Sequence, residues 1–324
     1  MTKALGLFSG GLDSILAALI LQKQRVEVTG IAFATAFFDT DKAEKAAGLM
    51  GIPLIVRTIG EIHLEMVKNP RYGYGRNMNP CIDCHAMMFN FAGQIMEQQG
   101  FDFLFSGEVL GQRPMSQNRS ALQAVAKHSG YSHSILRPLS ACLLPVTPME
   151  EQGLVDRSRL FDIQGRTRRR QKELATQWGL VDYPSSGGGC LLTEKSFSGR
   201  LRDLFAHQPE ADVADVELLK LGRQFRISPR AKLTLGRNQS DNKAIKMVAK
   251  PSDVLLCAVN FAGPVGLVSG TPEPSDLATS CAILASYGKG QNQLQVDVLA
   301  KRHDSEKRIT VRPLAREVSR QWIV

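Results

Sequence analysis

Residues 4–14 read Ala-Leu-Gly-Leu-Phe-Ser-Gly-Gly-Leu-Asp-Ser, and residues 15–21 continue as Ile-Leu-Ala-Ala-Leu-Ile-Leu. An apolar strand thus runs straight into Ser9-Gly10-Gly11-Leu12-Asp13-Ser14 and then into an apolar helix. Two glycines permit a tight turn and close approach of a ligand to the backbone. Exposed N–H groups at the start of a helix attract phosphate. Ser9 and Ser14 add hydroxyl donors, and Asp13 is suited to cap the helix or to hold Mg²⁺. The stretch lacks the Gly-Lys-Ser/Thr ending of a Walker loop, which disfavours transfer of a γ-phosphate.

Around this stretch, short apolar or β-branched runs alternate with helical patterns. Strands are expected at Lys3–Phe8, Val26–Ala34, Pro53–Thr58, Asp102–Ser106 and Ser134–Leu136. Helices are expected near Ser14–Lys23, Asp39–Met50, Cys84–Gln99 and Gln117–His128. The alternation predicts an α/β fold, a doubly wound parallel sheet with helices on both faces, over residues 1–150. Ligands of such sheets bind beyond the carboxyl ends of the strands, so the glycine loop and Ser106-Gly107-Glu108 should share one cleft. Residues 151–222 read as a helical linker region carrying the loop Ser185-Ser186-Gly187-Gly188-Gly189-Cys190. Residues 223–324 read as a small α+β domain.

A chain of 324 residues, 43% hydrophobic and 22% charged, is long enough for two or three domains with cores of their own. No run approaches twenty apolar residues and the start lacks signal-peptide anatomy, so a membrane partner is not expected and a cytoplasmic location is. There the six cysteines are expected to be reduced, catalytic or metal-bound. The net charge of +9 is unevenly spread: residues 1–150 carry +1, residues 151–222 carry zero and residues 223–324 carry +8. That concentration is the electrostatic footprint of a nucleic-acid-binding module. Arg223, Arg226, Arg230, Lys232, Arg237, Lys243, Lys246 and Lys250 recur over 28 positions, and the spacing of Lys243, Lys246 and Lys250 predicts one helix face turned to RNA phosphates. Arg166, Arg168, Arg169 and Arg170 are a second, denser basic run, suited to RNA contact or to a solvated helix start.

The thiols carry the remaining chemistry. Cys81-Ile82-Asp83-Cys84 is a CxxC, open to redox, metal or sulfur chemistry, and Cys190 is a third cysteine on a glycine loop. Three thiolates suit three irons of a [4Fe–4S] cluster, or one cysteine carries a persulfide and another attacks it. Cys142, Cys257 and Cys281 lie in apolar runs and are expected in the core. In Gly111-Gln112-Arg113-Pro114-Met115-Ser116-Gln117, Arg113, Ser116 and Gln117 are expected to line the cleft, with Arg113 on phosphate. Glu108 is expected to touch ribose or Mg²⁺, and Asp39 to cap a helix or contact ribose.

Ser9–Ser14 resembles the SGGxDS pyrophosphate loop of the PP-loop ATPases, which cleave ATP between the α and β phosphates and adenylate a substrate. With Asn79-Pro80-Cys81, Cys84 and Gly189-Cys190, residues 1–195 resemble the tRNA 2-thiouridylases and related PP-loop sulfurtransferases. Leu136-Arg137-Pro138-Leu139-Ser140 and residues 187–193 are similar to a thiouridylase-like subfamily. Leu235-Gly236-Arg237-Asn238 resembles the RNA-binding domain at the C-terminus of NFACT proteins. These resemblances imply an ATP-dependent RNA sulfurtransferase that adenylates a base carbonyl and replaces its oxygen with sulfur. Catalytic roles fall to Cys81, Cys84, Cys190 and Asp13. ATP and Mg²⁺ fall to Ser9, Gly10, Gly11, Leu12, Asp13, Ser14, Gly107, Glu108 and Arg113. The three cysteines hold a [4Fe–4S] cluster or act by sulfur exchange. Arg166, Arg168, Arg169, Arg170, Arg237, Lys243, Lys246 and Lys250 contact tRNA or another structured RNA, and a protein persulfide or sulfide donates sulfur. The principal 2-thiouridylases carry a Gly-His pair where this chain has Gly107-Glu108, and they lack the basic third domain. A PP-loop ligase using ammonia would share the ATP chemistry without needing three cysteines. A non-catalytic RNA-binding protein that senses ATP is the reading from another class, separated by a pyrophosphate-release assay.

Overall fold

The computed structural model describes residues 1–180, 183, 189–303 and 305–324. Gly187 and Gly188 of the glycine loop lie outside the described residues. The chain forms two compact units, Met1–Thr193 and Glu194–Val324. The expected linker region 151–222 is therefore divided between them.

The first unit runs β1 (Lys3–Leu7), α1 (Leu12–Gln22), β2 (Glu27–Ala34), α2 (Asp41–Met50), β3 (Leu54–Thr58), α3 (Gly60–Lys68), α4 (Cys81–Gln99), β4 (Phe103–Ser106), α5 (Arg119–Ser129), β5 (Ile135–Leu136), α6 (Pro148–Glu151) and α7 (Arg169–Gln177). Its five strands lie in the order β3-β2-β1-β4-β5, every neighbouring pair parallel. The expected doubly wound sheet is present. Adjacent residues of a strand point to opposite faces. Ala4 accordingly joins the core formed with α1 and α2, while Leu5 joins the core formed with α4 and α5. A Cβ on Gly6 would lie 2.1 Å from the Phe105 ring, so glycine there lets β4 seat its largest side chain against β1. After β3 the chain crosses back past β1 to form β4, which makes the β1/β4 junction the switch point of the sheet. A crevice for ligands opens at the carboxyl ends of those two strands.

The second unit runs α8 (Lys195–His207), α9 (Val213–Leu218), β6 (Arg223–Ser228), β7 (Ala231–Leu235), α10 (Gln239–Val248), β8 (Val254–Ala258), β9 (Val265–Gly270), α11 (Pro274–Ser286), β10 (Val296–Arg302), β11 (Ser305–Val311) and α12 (Arg316–Ser319). Its six-stranded antiparallel sheet has the order β11-β10-β8-β9-β7-β6. Leu233, Leu256 and Val298 of the sheet meet Ile283 and Leu284 of α11 in one core. Cys281 joins that core, and burial pushes its thiol up to about 12. Cys142 departs from expectation: it is exposed, its thiol near the Leu160 carbonyl at 3.5 Å. Among the described residues, no helix is long and apolar enough to cross a membrane.

Candidate nucleotide and thiol site

The glycine loop leaves β1 at the switch point. Gly10 adopts φ +70°, and a Cβ there would strike the Lys42 carbonyl oxygen at 2.2 Å, so both its conformation and its packing require glycine. Leu12 begins α1, with its side chain buried and its N–H in the first turn facing the loop. The Ser14 hydroxyl donates to the Gly11 carbonyl at 2.8 Å, and the Ser9 and Ser14 oxygens are 3.4 Å apart. The loop thus gathers hydroxyl and amide donors at one helix start, which fits a polyphosphate.

Asp13 is buried and held by two donors on the same oxygen. Gln112 Nε2 lies 2.7 Å and Arg168 Nη2 lies 2.9 Å from its Oδ2. Gln171 in turn donates to Gln112 Oε1 at 2.9 Å. Asp13 Oδ1 is buried with no hydrogen-bond partner among the described residues, a carboxylate oxygen suited to a cation. Arg168, expected on RNA, is instead committed to the glycine loop in this structure. The chain enters α7 only at Arg169, so Arg168 stands at the helix cap position and reaches back to α1. Of its neighbours in the basic run, Arg169 pairs with Glu173 at 2.8 Å and Arg170 pairs with Asp162, while Arg166 is exposed.

Gly107-Glu108 follows β4 and reaches both halves of the site. A Cβ on Gly107 would come within 2.4 Å of the Asp13 carbonyl carbon and 2.5 Å of the Ser14 nitrogen, so only glycine lets β4 touch the loop. Glu108 is buried, and both its oxygens are engaged: Oε2 with Arg137 Nε at 2.8 Å, Oε1 with His85 Nδ1 at 2.8 Å. Burial alone would raise this carboxyl, but Arg137 and His85 outweigh it and hold the pKa down at about 2. Glu108 therefore does not present a vacant oxygen to ribose or Mg²⁺, as expected from the sequence; it fixes His85.

His85 is next to Cys84, and here the thiols meet. α4 starts at Cys81, three residues before the expected start at Cys84, which puts Cys81 at the helix N-terminus and Cys84 in its buried first turn. Asp83 between them accepts from the N–H groups of Arg71 and Tyr72, both at 3.1 Å, and so orders the preceding loop. The segment after Cys190 is tied to the same region. Leu191 N–H donates to Phe37 at 3.0 Å, and Asn77 Nδ2 donates to Thr193 at 2.7 Å. Burial, then the neighbouring Cys190 and Cys81, push the Cys84 thiol well above its ordinary range. Burial also raises Cys81, while Arg113 and hydrogen bonds from Ser116 and Asn79 pull it partway back. Arg113 thus stands beside a thiol. Asp39 bends back to the N–H of Asp41 at 3.3 Å at the start of α2.

His63 was not among the expected site residues. Its Nε2 lies 3.2 Å from Cys84 Sγ, its ring sits 5.5 Å from Phe37 and 5.4 Å from Phe38, and burial lowers its pKa to about 4, leaving it neutral. A lone histidine in α3 gives no sequence signal of that contact. Among the described residues no group of three or more His, Cys, Asp or Glu side chains is placed to hold a metal ion. Among the described residues nothing further supports the cluster alternative for Cys81, Cys84 and Cys190.

In the second unit much of the basic charge is spent internally. Arg226 makes a bidentate pair with Asp203 at 2.9 and 2.8 Å. Lys232 is buried beside the same carboxylate, and desolvation draws its pKa down to about 8. Lys250 does not extend the face of Lys243 and Lys246. α10 ends at Val248, ahead of Pro251, and Lys250 pairs with Asp215 at 2.7 Å and Asp212 at 3.1 Å. Arg237 holds Asp241 at 2.8 Å, whereas Lys243 and Lys246 are exposed.

Residues 1–142 match the family model described as thiamine biosynthesis protein (ThiI), and residues 222–323 match the NFACT protein RNA binding domain. The chain is 24% identical over 280 residues to the tRNA-specific 2-thiouridylase MnmA 1 of Syntrophus aciditrophicus, covering 81% of this chain and 70% of that one. It is 26% identical over 272 residues to the tRNA-specific 2-thiouridylase MnmA of a Nocardioides species, covering 74% and 71%. Among solved structures it is similar to a 4-thiouridine synthetase in complex with RNA and ATP, at 20% identity and a TM-score of 0.38, covering 67% of this chain and 52% of that one.

Proposed function

We infer that this chain, a PP-loop ATPase of the tRNA thiouridylase-like family with an NFACT-type RNA-binding domain, is an ATP-dependent tRNA sulfurtransferase. One observation carries the reading: the dipeptide Gly107-Glu108 fastens the nucleotide loop to the thiol helix. Gly107 abuts Asp13 and Ser14, and Glu108 grips His85 beside Cys84. An ammonia-using ligase would not need Cys81, Cys84 and Cys190 together.

In the reaction, the base carbonyl oxygen attacks the α-phosphorus of ATP and pyrophosphate leaves. The loop amides, Ser9 and Ser14 bind the phosphates, and Asp13 Oδ1 would hold the Mg²⁺ that offsets their charge. A carbonyl oxygen is a poor leaving group until it is esterified in this way. A terminal persulfide sulfur then attacks the activated carbon, AMP departs, and a second cysteine thiolate attacks the inner sulfur of the C–S–S linkage. That step leaves the thiocarbonyl on the base and a disulfide between the two cysteines, which a reductant must reopen. Cys81 and Cys190 are half-exposed and suit these roles. Cys84, buried beside neutral His63, is held as a thiol and supports the pair.

The test is product analysis with bulk tRNA and a persulfide donor. Wild-type protein should release AMP and pyrophosphate and form a thionucleoside. Asp13→Ala should abolish pyrophosphate release with the fold intact, and Cys81→Ala and Cys190→Ala should release pyrophosphate without thiolating. ADP and orthophosphate as products would sink the adenylation step. Thiolation by every single cysteine variant would sink the sulfur step.

A further inference from the structure

The second unit has a groove of about 490 Å³ lined by Arg223, Arg237, Asn238, Tyr287, Lys289 and Arg316 among others, with no acidic residue in its wall among the described residues. Glycine keeps its floor low: a Cβ on Gly263 would come within 3.3 Å of the Gly288 Cα, and the reverse holds equally. The Tyr287 ring carries two cations against it, the Arg223 guanidinium at 4.9 Å and the Arg316 guanidinium at 5.1 Å from its centroid. Arg316 is fixed by the Ser286 carbonyl at 3.1 Å and by Gln291 Oε1 at 2.8 Å. Arg226, Lys232 and Lys250 elsewhere in the unit are matched by carboxylates. In the groove only Arg237 faces one, Asp241, among the described residues.

We propose that this groove binds one nucleotide of single-stranded RNA. Lys289 takes its phosphate, and the outer face of the Arg223 guanidinium, braced from behind by Tyr287, takes its base. The volume lies within the range of about 300–1,000 Å³ common to small-ligand sites. A concave site of that size admits a splayed nucleotide, whereas a duplex keeps its bases stacked and out of reach. Guanidinium planes stack on bases and pair with phosphates, which an ammonium cannot do in the same way. The wall without carboxylates favours a polyanion over a neutral ligand. The exposed pair Lys243 and Lys246 offers charge without a stacking plane, so the groove, not that helix face, is the seat of the contact. This proposal rests on the reading that the chain acts on RNA.

The experiment uses the full chain and a fluorescein-labelled ten-nucleotide single-stranded RNA of mixed sequence, read by anisotropy at several KCl concentrations. The Arg223→Ala, Lys289→Ala double variant should lose about tenfold or more in affinity. Its salt slope should flatten by about 0.7 for each phosphate contact removed. Arg223→Lys keeps the charge and should hold the wild-type salt slope while still losing affinity, and its near-ultraviolet circular dichroism checks the fold. Changing Lys243 and Lys246 together to alanine should leave binding within about twofold, since the proposal seats the RNA in the groove and not on that helix face. Unlabelled RNA should displace the probe at lower phosphate concentration than inorganic polyphosphate. Unchanged binding by the double variant, a larger loss in the Lys243 and Lys246 variant, equal displacement by polyphosphate, or no binding by the wild type would each overturn the proposal. Pyrophosphate release and thiolation, measured on the same preparations, report separately on the sulfurtransferase reading.

Discussion

Gly107→Ala tests the contact on which the site is built. The added Cβ would sit 2.4 Å from the Asp13 carbonyl carbon, 2.5 Å from the Ser14 nitrogen and 2.6 Å from the Asp13 oxygen, where ordinary contact starts near 3.4 Å. All three atoms are backbone at the start of α1, so no side chain can rotate away. The end of β4 and the glycine loop must therefore part by about 1 Å. Overpacking of this kind costs about 1–3 kcal/mol. In a unit of this size that lowers the melting temperature by roughly 2–4 °C per kcal/mol. The larger effect is on catalysis, because a misplacement of about 1 Å costs on the order of 10²-fold when reacting groups must be aligned. Pyrophosphate release from ATP with tRNA, followed with a coupled assay, should fall by about that factor while the protein remains folded. Gly48→Ala is the control: it lies in α2 with nothing within 4 Å of an added Cβ, and alanine there should stabilise by about 0.5–1 kcal/mol with activity unchanged. A Gly107→Ala protein with wild-type activity and wild-type melting would refute the claim that β4 and the glycine loop are held in contact.

The buried Glu108 carboxylate has its pKa depressed from 4.5 to about 2, so its stabilisation, on the order of 3 kcal/mol, is present above pH 4.5 and is lost as the pH falls through that range toward 2. Urea unfolding of the full chain between pH 7 and pH 3 should show the first, larger part of that loss, whereas Glu108→Gln should be less stable at pH 7, with Arg137 left unmatched, and flatter in acid; an unaltered acid slope in the variant would contradict the assignment. Lys250→Ala should destabilise the second unit slightly, by less than about 1 kcal/mol for a partly exposed pair, and leave the salt dependence of RNA binding unchanged; a shallower slope would return Lys250 to the RNA surface.

The parts of the fold with strong local signals were legible in the sequence. The five parallel strands fall within a residue of their expected bounds because each is a short apolar or β-branched run closed by a turn; β1, β2, β4 and β5 are largely buried, whereas β3 lies at the sheet edge and is part-exposed. α3 was missed because Gly60-Glu61-Ile62-His63 offers no cap and its buried face needs the tertiary partners Phe37 and Phe38 to declare itself. The glycine loop was legible for the same reason that it works: its conformation admits few residue types. Arg168 and Glu108 were harder. Each is a charged residue near a turn, and only the folded chain reveals that Arg168 reaches back 155 positions to Asp13 and that Glu108 has both oxygens occupied.

Charge counting shows the same limit in the second unit, and the structure explains it. A formal +8 over residues 223–324 counts cations without asking what faces them. Lys250 is answered by Asp212 and Asp215, Arg226 and Lys232 by Asp203, and all three of those carboxylates lie before residue 223, outside the counted segment but inside the same compact unit. Counting to the border of a sequence pattern thus exaggerates the charge open to a partner. A cation that ends in an internal pair releases no counterion on binding and adds nothing to the salt slope. What remains for RNA is set by side chains left without a carboxylate. In the groove these are, among the described residues, Arg223, Lys289 and Arg316, the two arginines held over Tyr287, and their value comes from geometry that a net charge does not record.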